Sequence, residues 1–309
     1  MEVPLLQPTF TLSSGIEIAV KGRWLRTAQL EADGFEFLEQ GPEPVLDALR
    51  ESGRRIDLFT FMQRLPDTSP RYAYSMEWDN FAALEITTFE HWWNHQIGFK
   101  ARNKAKQAES KGVVIQEVPF GDDLVRGIWN IYNECPVRQG RRYWHYGKDF
   151  ATVYREEATH LDHSAFTGAY FQGKLIGFIK LVWDQTNTQA YLMNIISMLM
   201  HRDKAPTNAL FAAAVKCCAE RNIRYLVYAR FVYAGKERSG LSDFKERNGM
   251  RRIDVPRYYI PLTFTGRVAL RLGLHKPLKD RLPETLLSRL RDLRALWYKR
   301  KLRSAGNAC

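Results

Sequence analysis

The chain has 309 residues, 45% of them hydrophobic, 13% aromatic and 26% charged, with a net charge of +12. That length holds one large or two small domains with a full core, which excludes a disordered, collagenous or disulfide-stapled chain. No run approaches ~18 apolar residues, so no membrane span is expected, and the four cysteines (Cys135, Cys217, Cys218, Cys309) show neither a C-x-x-C pair nor a zinc spacing. The N-terminus lacks a basic and then apolar leader pattern, so the body is expected to be cytoplasmic.

In chain order, 15–41 read as strands with turns at Lys21-Gly22 and Asp33-Gly34. A short helix over 42–52 turns Val45, Leu46 and Leu49 inward, and 56–62 is another strand. After the LPDTSP link, YSMEWDNFAALEIT is strand again. Residues 1–90 thus form a small α/β subdomain, with no firm role of its own.

The segment 88–111 reads as one helix, opened near Thr88 and stopped by Gly112. His91 and His95 lie one helical turn apart on it, but a glutamate of the H-E-x-x-H type and a third ligand are missing, so no metal is expected. A strand over 113–119 follows. The helix over 122–134 puts Leu124, Val125, Ile128, Ile131 and Tyr132 on its apolar side.

The loop 136–150 (PVRQGRRYWHYGKDF) crowds arginines and aromatics around two glycines. That chemistry suits an anionic or sugar-like group, with Arg138, Gln139, Arg141, Trp144 and Tyr146 as acceptor-binding candidates. The plainer reading is a loop that covers a core edge. His145 is the candidate base, because an unperturbed imidazole titrates near ~6.5; Glu134 and Asp149 are its rivals. A short helix over 148–158 leads to three strands, SAFTGAYF, LIGFIKLVW and AYLMNIISML, joined by hairpin turns.

The third strand runs through a basic turn (MHRDKA) into a helix that Pro206 opens. Free amides at the helix start, with Arg202 and Lys204 beside them, make a seat for phosphate; Ala205, Pro206, Thr207 and Asn208 complete it. An ordinary solvated turn fits these residues equally. Strand RYLVYARF, helix LSDFKERNG capped by Gly249, and strand DVPRYYIPL close the body.

The element order over 113–262 is similar to the GNAT acyltransferase fold. The sequence also resembles the FemAB-like branch, whose better-known members add amino acids to peptidoglycan bridges. The stretches RNKAKQAESKGVVI, GAYFQGKLIGFIKLV and FKERNG carry this resemblance, the last similar to FKxxFG with Asn248 in place of phenylalanine. The resemblance implies an α/β (α+β) class: a mixed, mostly antiparallel sheet flanked by helices over 91–264, with 1–90 as a degenerate GNAT half.

It further implies acyl-CoA as co-substrate, its diphosphate held at the turn after Leu199. The glycines of R/Q-x-x-G-x-G/A are absent there, which keeps aminoacyl-tRNA open as the donor. Amides on the strand after Tyr191 would polarise the acyl carbonyl. Lys245 would stabilise an oxyanion or phosphate, and Tyr233 would be the proton donor.

From Arg267 to the end, twelve basic residues stand against three acidic ones. The tail 265–309 holds an amphipathic helix over 284–302 with Leu286, Leu290, Leu293 and Trp297 in one stripe. It reads as a docked helix, a contact to anionic membrane, or an RNA contact. P-loop, Rossmann and G-x-S-x-G patterns are absent. The functions left are N-acyl transfer to an amine of a small molecule, sugar or cell-envelope precursor, tRNA-dependent aminoacyl transfer, and non-catalytic glycan or polyanion binding.

Overall fold

The computed structural model describes residues 9–31, 38, 40–138, 141–232 and 240–276. The first elements are β1 (Thr9–Thr11), β2 (Glu17–Lys21), β3 (Thr27–Leu30), α1 (Glu43–Glu51), β4 (Leu58–Met62) and β5 (Ser75–Glu85). Next come a helical turn α2 (Phe89–His91), a π-turn (Trp92–Gln96), α3 (Phe99–Ser110), β6 (Val114–Val118) and α4 (Asp122–Tyr132). Two short strands, β7 (Val137–Arg138) and β8 (Arg141–Arg142), precede α5 (Phe150–Glu157), β9 (Ser164–Phe171), β10 (Lys174–Trp183) and β11 (Gln189–Ser197). A 3-10 turn (Leu199–Lys204) leads to α6 (Pro206–Glu220), β12 (Tyr225–Val227), α7 (Gly240–Arg247), β13 (Arg251–Pro261) and α8 (Phe264–Arg271).

The described residues divide into two compact units. Unit 1 holds 9–81, 232 and 252–276; unit 2 holds 82–231 and 240–251. The boundaries expected at 90 and 264 do not coincide with these units, because Arg257–Pro261 of β13 pair antiparallel with Leu58–Met62 of β4. In unit 1 the strands run β1-β2-β3-β4-β13, with β5 beside β13. Their core gathers Ile18, Phe59, Phe61 and Tyr258 with the inward face of α1, Val45, Leu46 and Leu49.

In unit 2 the order is β5-β12-β11-β10-β9-β6. All of these neighbours pair antiparallel except β11 and β12, which run parallel. β10 is buried along both faces, which explains its near-continuous apolar run. Ile176, Ile179 and Leu181 face one core with α3 and α6. Leu175 and Phe178 face the other, with the five buried residues of α4. Among the described residues no helix is long and apolar enough to cross a membrane.

The helix expected over 88–111 is broken at Ile97 and Gly98, both extended. The cause is tertiary. The Gly98 amide donates to the Arg247 carbonyl (2.8 Å), and a side chain at 98 would crowd that oxygen at 3.1 Å. The buried Trp92 indole donates to the Asn248 carbonyl (2.9 Å). The FKERNG segment is thus what the break accommodates. The rings of His91 and His95 stack with centroids 5.0 Å apart, and His95 Nδ1 lies 3.3 Å from the His91 carbonyl oxygen.

Strand RYLVYARF is ordered as strand only over β12. The sequence reading misses α8, whose first turn Thr263 caps by accepting from the Gly266 amide (3.1 Å). The tail from 277 on, with the helix expected over 284–302, lies outside the described residues.

Gly249 ends α7 at φ 84°, and a Cβ there would stand 2.9 Å from the Gln96 carbonyl. Gly249→Ala is expected to cost about 1–3 kcal/mol, from left-handed strain plus that contact. Urea unfolding measures it; an unchanged midpoint would contradict the packing of α7 against the break.

Candidate active site

β11 has a partner on its β12 side over three residues only, Gln189–Tyr191 against Tyr225–Val227. Beyond Val227 the chain stays with β5, which β12 already pairs, and leaves β11: the Tyr228 amide donates to the Ala82 carbonyl, and the Ala82 amide to the Ala229 carbonyl. β11 continues to Ser197, so its β12-facing edge is open among the described residues. On its other side the register slips. Lys180 faces Asn194 and Leu181 faces Leu192, leaving Met193 with no residue opposite it in β10. A bulge of this kind bends the strand and leaves the extra residue out of the ladder, here at Met193.

At the end of β11, Ser197 gathers the two segments that the sequence singles out. Arg138 Nη1 donates to its carbonyl (2.9 Å), and its hydroxyl lies 2.7 Å from the Thr207 hydroxyl. The acceptor loop and the mouth of α6 therefore meet. Arg138 is not free to hold an acceptor. Its other nitrogen reaches the Ile131 carbonyl (3.1 Å) and Glu134 (3.0 Å), and its guanidinium lies over the Tyr143 ring. Glu134 in turn accepts from the amides of Leu199 (2.8 Å) and Met200 (3.0 Å).

Glu134 thus occupies the two amides at the start of the 3-10 turn, ahead of the expected phosphate seat over 202–208. Ala205 is buried in the left-handed region at φ 53°, and Pro206 is buried at the first position of α6. The Asn208 amide donates to the Ala205 carbonyl (3.2 Å). Lys204 lies over the Phe171 ring near Asp203, while Arg202 is exposed.

The aromatic loop folds inward. His145 is buried, stacked on Tyr132 at 3.8 Å between ring centroids and flanked by Trp144 at 4.0 Å. Burial, then the charges of Lys148 and Arg138, push its imidazole down to about 3. The ~6.5 value that made it a candidate base does not survive this environment. Trp144 sits beneath the Lys148 ammonium (3.3 Å), and Tyr146 is exposed. Asp149 is the N-cap of α5, accepting from the Thr152 amide (2.7 Å), a bond that holds its carboxyl below the usual range. Arg141 pairs with Arg138 in the β7–β8 ladder. Gln139 and Tyr233 lie outside the described residues.

A buried polar network lies behind the bulge. Glu157 accepts from the Tyr132 hydroxyl (2.7 Å) and, through both oxygens, from the Asn194 amide group (3.0 and 3.1 Å). Burial raises its carboxyl above the ordinary value. Lys180 is buried too, donating to the Glu157 carbonyl (2.8 Å) and the Thr159 hydroxyl (2.9 Å), and burial lowers it to about 8. The sequence reading misses this network. Its signal is a lone lysine in LIGFIKLVW and a lone asparagine in AYLMNIISML.

Lys245 is fully buried on α7. It donates to the Arg230 carbonyl (2.7 Å), three residues beyond β12, and lies over the Tyr228 ring; burial lowers it to about 8. Ammonium groups perturbed this strongly by desolvation are frequent at reactive sites. One groove of about 420 Å³ opens elsewhere in unit 2, between Glu117–Phe120 and Leu161–Phe166.

No protein-family model and no curated protein matches the sequence. Solved structures match in fold. The C-terminal domain of a putative lysylphosphatidylglycerol synthetase from Agrobacterium fabrum is similar at TM-score 0.56 and 15% identity, over 86% of each chain. L-PGS from Bacillus licheniformis is similar at TM-score 0.53 and 15% identity, over 86% of this chain and 88% of that one. FemX is similar at TM-score 0.54 and 9% identity, over 78% of this chain and 83% of that one. The fold is therefore GNAT-like and FemAB-like: a large, mostly antiparallel sheet flanked by helices.

The His145 environment fixes the sign of a pH effect. The unfolded chain protonates this ring near ~6.5 and the folded chain only near 3, so between those values the unfolded state holds the extra proton and stability falls as pH falls. The imidazole NMR signals of His145 are expected to stay constant down to about pH 4. A titration near pH 6.5 would contradict its burial.

Proposed function

We propose that the chain is a transferase that carries an activated acyl or aminoacyl group to a cell-envelope acceptor. The observation that carries this reading is the open edge of β11 beyond Tyr191, with the bulge at Met193. An acyl donor laid along that edge would set its carbonyl against strand amides, which stabilise the oxyanion formed on attack. The acceptor's amine or hydroxyl adds to the carbonyl carbon, the tetrahedral oxyanion collapses, and the leaving oxygen or sulfur departs with a proton. Lys245, anchored on the chain beyond β12, is assigned to charge stabilisation in that step.

An aminoacyl ester suits the site better than an acyl-CoA thioester. A diphosphate at the turn after β11 would lie near the Glu134 carboxylate held on the Leu199 and Met200 amides and would face its charge. No glycine opens that turn to close approach. The neighbouring fold described as a lysylphosphatidylglycerol synthetase supports an aminoacyl group and an envelope lipid as the general chemistry. The exposed Arg202 and the basic face of α3 offer charge to a tRNA.

The test offers labelled aminoacyl-tRNA and labelled acetyl-CoA separately, with an extract of envelope lipids and precursors. Transfer from the tRNA pool is expected. Transfer or saturable binding with acetyl-CoA alone would return the donor to coenzyme A, and inertness with both would remove the enzymatic reading. Lys245→Met is expected to lower transfer about 100-fold. Thermal stability at neutral pH is expected to fall by about 1–2 kcal/mol, the cost of the lost bond to the Arg230 carbonyl, too little to unfold the chain. Full turnover in that variant would remove Lys245 from the chemistry.

A further inference from the structure

Asp57 in unit 1 is fully buried and joins two segments far apart in sequence. Its Oδ2 accepts from the Arg26 amide (3.0 Å), at the end of the β2–β3 turn. Its Oδ1 accepts from the hydroxyl of Thr263 (2.8 Å), the N-cap of α8. The Asp57 amide donates to the Arg26 carbonyl (2.8 Å), and its own carbonyl accepts from the Leu262 amide (2.9 Å). The β2–β3 turn and α8 are thereby fixed at the same end of the sheet, where Leu58 pairs with both Thr27 and Pro261.

The roll of α8 is also fixed. Gly266 and Ala269 are buried, and a Cβ on Gly266 would stand 1.9 Å from the Asp57 carbonyl oxygen. That seat turns the other face outward. Phe264 is 72% exposed and Leu272 66%, with Val268 exposed between them at four-residue steps. Arg267 and Arg271 are exposed on the same helix, the Arg267 guanidinium 5.8 Å from the Phe264 ring. In the β2–β3 turn, Trp24 is 91% exposed between the exposed Arg23 and Arg26. No acidic residue occurs between Glu17 and Glu31, or between Asp254 and Asp280.

We propose that this end of unit 1 docks on an anionic bilayer surface, Trp24, Phe264 and Leu272 entering the interface while Arg23, Arg267 and Arg271 meet lipid phosphates. The mixture of groups selects this partner. A protein interface concentrates apolar side chains at a core depleted of charge. Here cations alternate with large apolar residues, the arrangement suited to a boundary where acyl chains and phosphates lie a few ångströms apart. Tryptophan prefers that boundary because its ring is apolar and its N–H polar. A nucleic acid would use the cations and leave Phe264 and Leu272 idle.

The proposal is independent of the transferase reading and is tested without turnover. The full chain is floated with phosphatidylcholine vesicles, alone or mixed with phosphatidylglycerol. Binding is expected only to the mixed vesicles, weakening as salt rises. The variant Trp24→Ser/Phe264→Ser/Leu272→Ser is expected to lose affinity by about tenfold or more. Its far-UV spectrum and melting should be unchanged, since all three side chains are exposed. If the triple variant misfolds, Trp24→Ser alone carries the test, with a smaller loss expected. Absence of vesicle binding in the parent chain, parent-like binding in the variant, or equal binding to neutral vesicles would overturn the proposal. So would a loss confined to RNA binding.

Discussion

The whole of unit 2 depends on a pairing that ends early. β12 lies between β11 and β5 over Tyr225–Val227, and beyond Val227 the chain keeps β5 and leaves β11. Parallel pairing is slightly weaker per residue than antiparallel pairing, and here it is short. β11 nonetheless continues to Ser197 on β10, which pairs with it from Trp183 to Gly177 on both sides of the bulge. The result, among the described residues, is a strand paired on one edge except at the bulge and open on the other beyond Tyr191. Buried backbone groups must find partners, so an open edge of this kind is costly unless water or a ligand meets it. The short β11–β12 pairing makes that opening, and the rest of the unit keeps it in place.

Three devices do the holding. Asn194, beside the bulge, is tied through both oxygens of Glu157 to Tyr132 and so to α4 and α5. Ser197, at the strand's end, is tied to Arg138 and Thr207. Glu134 closes the turn beyond by satisfying two amides that would otherwise be free. Removing one member of such a buried set leaves its partner desolvated, a loss of about 3–5 kcal/mol where the orphan is charged. The loop rich in arginine and aromatics is therefore largely a brace. Arg138, expected to hold the acceptor, and His145, expected to be the base, both turn into the body.

What was legible in the sequence was whatever local periodicity decides. The inward residues of α1 and α4, the three long strands and the Gly249 cap are set by patterns within one element, and they stand where those patterns put them. What was not legible depends on contacts distant in sequence. Gly98 breaks a helix because Arg247 is there, and β11 loses its neighbour beyond Val227 because the chain there stays bonded to Ala82 of β5. His145 is a poor base because Tyr132, Trp144 and Arg138 bury it and oppose its charge, and no spacing rule reports that. Lys180 and Asn194 were visible as lone polar residues in apolar runs. Their meaning needed the facing Glu157.

The central claim is that the open edge of β11 at Met193 is where the activated carbonyl sits. The most direct measurement is a crystal structure of the chain with a non-hydrolysable aminoacyl-adenosine amide. The account predicts the analogue's carbonyl oxygen about 3 Å from a backbone nitrogen at or next to Met193, with β12 still ending at Val227. An analogue seated instead in the groove between Glu117–Phe120 and Leu161–Phe166, or a β12 that extends to close the edge, would contradict it.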